Sequence, residues 1–461
     1  MASADVVVVG AGLAGMSAAV HLARHGARVV VVAAGHAAGH WVGGPIDVAA
    51  PAGAANALQG IALLRRGHDH PYRFLDSDVA PAIDAFLATV AEHGLPHRGS
   101  LTTEFGSLPT GLGGTRPISI VPDAQSAALA PWADDEVLVV IGPAGFKDLW
   151  PRAVANSLER EGVWEGRPRP ARVIGRSVDL PGLAGRRNLN AVVLAALFDD
   201  PRWRSAALDA IAVAVEGATR GPARVAVPAV LGNADHAGAF RDAAERIGRP
   251  IIEMPLVPPS VPGMRLHGAL RSKLRALGGT MLMGEPIARV ETRGRRVTAV
   301  ATPAAAREHL IHTGSVILAT GGVAAGGIVG DPDGHLREAV LGLPAEGPPI
   351  DRWLAGDPLD PAALPIMSAG IRTDEALRPV DPARPDSPLF DNVRIVGGLL
   401  AGQHWLNERC GDGIALASAF RAAASISELA EGPTRSVGAR STGGPGPRSQ
   451  NDLPLASGFS R

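Results

Sequence analysis

Arg265 and His267 stand two residues apart after Pro258-Pro259, and together they offer what oxidation of a small anionic alcohol requires. Arginine presents bidentate donors to a phosphate or carboxylate. Histidine titrates near neutral pH and can take a hydroxyl proton as hydride leaves the neighbouring carbon. The pair is expected where a loop enters a helix. A capping or core histidine beside a solvated arginine would give the same letters, so the two readings stay open. Arg116, in the glycine-rich stretch Thr110–Pro117, is a second candidate anion binder, with an exposed structural arginine as its bland alternative. Hydride chemistry also needs an electron acceptor, and the chain carries the kind of turn that holds one.

That turn is Gly10, Gly12 and Gly15, set between the apolar run Val6–Val9 and the small-residue stretch Met16–Arg24. Strand, G-x-G-x-x-G and helix in succession bind the diphosphate of a dinucleotide. The first glycine makes the tight turn, the second admits backbone to the phosphates, and the third lets helix pack on strand. Backbone N–H groups of Gly10, Gly12, Ala14 and Gly15 are the expected phosphate donors. A second strand, Arg28–Val32, follows at the βαβ distance, but the acidic residue that grips an adenosine ribose is missing, and Ala33 and Ala34 hold its place. A diphosphate grip without a ribose grip favours a flavin, held by many contacts, over a dissociable nicotinamide.

A flavin site also needs a close backbone approach and a positive dipole near the N1/C2=O end of the ring system. Ser315–Leu318 empties into Ala319-Thr320-Gly321-Gly322, whose small residues let backbone pass near a ligand. The helix entered at Gly411-Asp412-Gly413 is the candidate dipole, its positive end facing reduced flavin, with plain helix packing as the alternative. His404 and Arg409 flank that motif and are placed to approach the flavin edge. His40 is weighed as a covalent flavin anchor, although its local spacing matches poorly. Cys410 reads as a small packing residue.

The elements that must position these residues alternate between strands and helices, an α/β pattern. The chain of 461 residues is too long for one core, and its formal net charge of −1 gives no electrostatic case for nucleic acid. One cysteine excludes a disulfide framework and any cysteine-ligated metal cluster, and no metal site is expected. The first strand starts almost at once and no run reaches the roughly 20 apolar residues of a membrane span, so a cytoplasmic chain without signal peptide is expected. The expected architecture is a discontinuous Rossmann-type flavin-binding domain over 1–70, 261–330 and 386–430. A substrate or cap domain of α+β type is inserted over 71–260, with a further excursion over 331–385. A tail rich in Gly, Pro, Ser and Arg over 431–461 is expected to be disordered. Within this frame, helices are expected over 76–92, 154–158, 204–215, 265–277 and 414–429. Strands are expected over 137–141, 224–227, 280–283, 287–291, 297–301, 315–318 and 393–396.

The N-terminal D-V-V-V-V-G-A-G-L-A-G and the V-I-L-A-T-G-G of Val316–Gly322 resemble flavoproteins of the fumarate reductase and succinate dehydrogenase superfamily. A closer resemblance is to the B-subunit family of anaerobic glycerol-3-phosphate dehydrogenases. It is carried by His40 with Gly43–Asp47, by His70-Pro71-Tyr72, Thr110–Pro117 and Gly142–Asp148, and by Pro258–His267, Gly370–Pro379 and Cys410–Gly413. It spans nearly the whole chain except the tail. The resemblance implies a flavin-dependent subunit of a quinone-linked complex that oxidises sn-glycerol 3-phosphate to dihydroxyacetone phosphate. Its implied partners are a second flavoprotein and an iron–sulfur subunit that anchors the assembly at the inner face of the membrane. The motif points to FAD, while the family is associated with FMN, which has no diphosphate; both stay open. Gln403-His404-Trp405 and the proline-rich stretch between Asp331 and Pro365 have no counterpart in that pattern and leave the substrate in doubt. The alternatives are a self-sufficient FAD-dependent dehydrogenase or reductase of a small acid, fumarate reductase-like, and a flavin-free scaffold.

Overall fold

Val7 and Val8 have no solvent exposure, because β1 (Ala2–Val9) runs through the middle of a sheet covered on both faces. Each such valine contributes roughly 1.5–3 kcal/mol of burial. The computed structural model describes residues 2–431, except 68, 187, 304–307, 358, 359, 361 and 362. The tail expected to be disordered lies outside the described residues from 432 onward.

β1 pairs in parallel with β2 (Val29–Ala33) on one side and with the strand His309–Leu318 on the other. The strand Thr280–Met283 extends the sheet beyond β2. On the far side the long strand splits its outer edge. Its first half takes the antiparallel hairpin Arg289–Arg293 and Arg296–Thr302, and its second half takes Val393–Ile395 in parallel. Segments from both ends and the middle of the chain thus build one seven-stranded sheet, the discontinuous flavin-binding fold expected from the motifs.

Two helices lie on the strands of this sheet, α1 (Leu13–Arg24) and Gly411–Glu431, and the helices Tyr72–Ala91 and Val261–Ala276 pack on these two and on each other. Tyr72, Leu75, Val79 and Phe86 share the core of the flavin-binding sheet, so the Tyr72–Ala91 helix sits there and not in the inserted unit expected over 71–260. The inserted unit has its own core around a four-stranded parallel sheet. Its order is Ile251–Met254, Ala223–Pro228, Val137–Pro143, Arg172–Val178. Two short antiparallel ribbons, His97–Gly99 with Ile120–Pro122 and Gly106–Pro109 with Thr115–Ile118, lead into it. Among the described residues no helix is long and apolar enough to cross a membrane.

Candidate functional site

The three glycines of the turn play three different parts. Gly10 has φ +112°, and a Cβ there would lie 2.2 Å from the carbonyl oxygen of Ala319, so only glycine lets the turn lean on the end of the neighbouring strand. A Cβ on Gly15 would lie 2.0 Å from the Gly10 carbonyl oxygen, so Gly15 sets how closely α1 packs on the turn. Gly12 differs: its backbone is ordinary extended chain and a Cβ would meet nothing within 4 Å. It faces open space. Gly12 also caps α1, which has no side-chain cap and no acidic residue in its first turn. The helix therefore presents its free N–H groups and positive end to that space.

A narrow apolar cavity runs from Gly12 and Leu13 past Gly39, Val42, Pro45 and Ile46 to Asp412. It joins the phosphate turn to the first residues of the Gly411–Glu431 helix. Of the two motifs expected from sequence, Gly12 and Asp412 line this one space, together with Leu266 and His267 of the Val261–Ala276 helix.

At the Asp412 end lies a buried polar cluster. The backbone N–H groups of Asp412 and Gly413 both donate to the Asp47 carbonyl at 3.0 Å, and the Asp412 carboxylate accepts the Asp47 N–H at 2.9 Å. Two carboxyl groups are thereby held side by side, Asp47 with 29% of its side chain exposed and Asp412 half-buried. Burial, with Asp47 beside it, pushes the Asp412 carboxyl up to about 7, against the opposing pull of the Asp47 N–H and Arg116. Arg116 pairs with Asp47, and against the cost of burial that carboxylate holds its guanidinium fully charged. Its Nε remains buried without a partner. Arg409, in the left-handed region at φ 47°, brings a second guanidinium close to Asp47 and Arg116, and burial lowers its pKa. Arg116, expected to bind an anion, is thus committed to Asp47 through Nη2. Behind the cluster, His70 lies 3.4 Å from Glu408, and the Cys410 thiol donates to the same carboxylate at 3.4 Å. Burial drives that thiol well above the usual range, so Cys410 is the inert packing residue expected.

Arg265 and His267 do not form a pair. The Val261–Ala276 helix begins four residues before Arg265, with Ser260 as cap and Pro262 in its first turn, so both residues lie within it and not at a loop boundary. Residues two apart on a helix point to different sides. Arg265 is buried, and its donors are occupied: Nη1 to Glu253 at 2.6 Å, Nη2 to the other Glu253 oxygen at 3.1 Å, and Nε to the Gly232 carbonyl at 2.8 Å. Against burial, this guanidinium holds Glu253 below the usual carboxylate range. His267 turns to the other side, toward His36 and His40 at ring distances of 5.3 Å. Burial and those two rings drive it down to about 4.

The remaining glycines are close-packing positions. A Cβ on Gly322 would lie 2.8 Å from the Gly398 carbonyl oxygen, and one on Gly413 would lie 2.2 Å from the Tyr72 hydroxyl. Gly321 has φ +79° and would meet Ala325, whereas Gly411 has only an ordinary contact with Trp405. Thr320 Oγ1 is buried without a partner. Ala14 packs under Gly397. His404 bonds the Leu364 carbonyl at 3.1 Å. Sequence reasoning gave Asp47 and Glu253 no role of their own, because Asp47 acquires its role from Arg116, 69 positions away, and Glu253 from Arg265 on the element that follows its strand.

The open space at Gly12 and the uncapped first turn of α1 fit the phosphates of a flavin, and the narrow cavity leads from there to Asp412. A family model described as an FAD binding domain matches residues 5–414. The B subunit of the anaerobic glycerol-3-phosphate dehydrogenase of Yersinia enterocolitica is 30% identical over 443 residues, covering 92% of this chain and 97% of that one. The corresponding B subunit of Pectobacterium atrosepticum is 29% identical over 434 residues, covering 92% and 98%. Among solved structures, a quinol fumarate reductase of E. coli aligns over 95% of this chain and 72% of that one, at 10% identity and a TM-score of 0.42.

Proposed function

The chain belongs to the B-subunit family of anaerobic glycerol-3-phosphate dehydrogenases, with an FAD-binding domain and flavin as its cofactor, and on that premise we propose that it is a flavoprotein subunit of a complex oxidising sn-glycerol 3-phosphate to dihydroxyacetone phosphate. The observation that carries this reading is the single cavity with the Gly12 turn at one end and the Asp47–Arg116–Asp412 cluster at the other.

Oxidation of the secondary alcohol removes two electrons with the carbon-bound hydrogen and one proton from the hydroxyl. The chemistry a bound flavin supplies is acceptance of the hydride. The chain's own residues then have separate tasks. Gly12, Ala14 and the first turn of α1 hold phosphate through backbone N–H groups. Arg409, held close to Asp47 and Arg116, suits the substrate's phosphate. Asp412, poised near neutrality, can hold or release the hydroxyl proton at its carboxylate oxygen. We assign that task to Asp412 and not to His267, which lines the same cavity but whose pKa is driven down to about 4 by burial and two neighbouring imidazoles. Thr320, Gly321, Gly322 and Gly413 act as close-packing backbone around the cofactor, Gly411 opens the helix beside them, and Arg265 acts as a brace for the helix that bears His267.

The single cysteine gives electrons no cysteine-ligated cluster within this polypeptide. The proposal therefore includes a second flavoprotein and an iron–sulfur subunit as partners, with this chain peripheral at the inner membrane face through them. The test is glycerol 3-phosphate:quinone activity of the isolated chain against the chain reconstituted with those partners. Activity only on reconstitution supports the proposal. Robust quinone reduction by the isolated chain would promote the self-sufficient enzyme instead.

A further inference from the structure

Three histidines meet where β2 hands over to the turn that crosses the Val261–Ala276 helix. His36 and His40 stack with ring centroids 4.4 Å apart, and His267 stands edge-on to both at 5.3 Å. One ring nitrogen from each lies within 4.8 Å of the others. The Nε2 of His267 is buried with no hydrogen-bond partner, and the residue is only 6% exposed. A buried lone imidazole nitrogen costs free energy unless something completes it. His267 also borders the cavity that runs from Gly12 to Asp412, but the roles assigned above give none of the three rings a task.

We propose that His36, His40 and His267 form a three-histidine site for a borderline transition-metal ion of the zinc class, with its fourth position open to the adjoining cleft. The donor set is the one such ions prefer, three imidazoles without thiolate or carboxylate. Metal–nitrogen bonds of about 2.0–2.1 Å require the nitrogens to draw closer than they stand. Two stacked rings cannot both aim their lone pairs at one point, so one must turn. His36 is solvent-exposed and joined to the rest by the short turn Ala37–His40, so its ring can do this at little cost. His267 is fixed by the helix and is only 6% exposed, so its ring is already held in place.

The cleft beside the site spans about 1300 Å³ and is lined further by His93, Asn233, Asp235, His236 and Arg271. Arg271 acts electrostatically on both His40 and His267. Its charge opposes a bare cation and favours one that carries an anion, so the ion's exchangeable position is suited to hydroxide, carboxylate or phosphate. The site lies between the flavin-binding sheet and the inserted unit, since Asn233, Asp235 and His236 come from the latter.

The test uses the full-length, tag-free chain, Co2+ as a spectroscopic probe and Zn2+ as competitor. Wild type should bind one Co2+ with the visible absorption of a four-coordinate ion, displaced by Zn2+. His36→Ala and His40→Ala should each weaken binding by roughly tenfold or more. His93→Ala, a histidine of the same cleft outside the triad, should leave binding unchanged. His36 is exposed, so its substitution cannot lose metal through unfolding. Binding that survives His36→Ala and His40→Ala, or that falls equally with His93→Ala, would overturn the site, as would the absence of four-coordinate Co2+ in wild type.

Discussion

Replacing Asp412 with asparagine should change how stability depends on pH. In the folded chain, burial and the neighbouring Asp47 push this carboxyl up to about 7, from an ordinary value of 3.8. Between those values the folded state keeps a proton that the unfolded state has released. The folded state then binds more protons, so stability falls as pH rises through this window. Below it both states are protonated and the effect vanishes; above about 7 it is complete. A difference of about 3 units at 1.36 kcal/mol each amounts to about 4 kcal/mol. The amide keeps an oxygen to accept the Asp47 N–H, made at 2.9 Å, and removes the ionisation. Asparagine can also donate to the Asp47 carboxylate, where a second carboxylate would repel it. Urea midpoints of wild type and Asp412→Asn, followed from mildly acidic to mildly alkaline pH, should therefore diverge, with wild type losing up to about 4 kcal/mol relative to the variant. Two curves that move in parallel would refute the reasoning, because the carboxyl would then ionise as freely in the fold as outside it.

Arg265→Ala should lower stability by about 3–5 kcal/mol, because it leaves Glu253 buried without its partner; thermal unfolding checks this, and an unchanged midpoint with slowed flavin reduction would mean that Arg265 faces substrate. Arg409→Leu should raise the KM for glycerol 3-phosphate in the reconstituted complex by roughly tenfold, the loss of one charge-assisted contact of about 1.5–3 kcal/mol, while flavin content stays full; an unchanged KM would remove Arg409 from the substrate site. Gly15→Ala should destabilise the chain by about 1–3 kcal/mol, since its Cβ would overlap the Gly10 carbonyl at 2.0 Å; circular-dichroism melting reads this directly.

The nucleotide-binding half was legible because its signals are local. Four valines, a glycine turn and a small-residue helix announce β1 and α1 in one short stretch, and the run ending at Leu318 announces the partner strand by its apolarity alone. The helices Ala191–Phe198 and His236–Ile247 gave no such signal. The first is apolar on nearly every side and has no period, and the second carries its buried face on alanine and glycine. Their caps, Asn190 and Asp235, were the available cue. The start of the Val261–Ala276 helix could likewise have been read from Ser260 and Pro262, which would have placed Arg265 and His267 on different faces. The pairing of Asp47 with Arg116 and Asp412 was out of reach of spacing rules, since the latter contact joins residues 365 positions apart. Sequence identifies residues able to do chemistry; only tertiary contact decides which of them are already committed to one another.

The proposed flavin site opens from the Gly12 turn. Gly12→Val tests it most directly, because the extended backbone accepts valine and a Cβ there meets nothing within 4 Å, so the fold should tolerate the change while the side chain fills the ligand's space. Flavin released by denaturation, quantified per chain and identified by mass as FAD or FMN, is the measurement. The account predicts stoichiometric flavin from wild type and almost none from a Gly12→Val chain with unchanged circular dichroism. Full flavin content in that well-folded variant would contradict it.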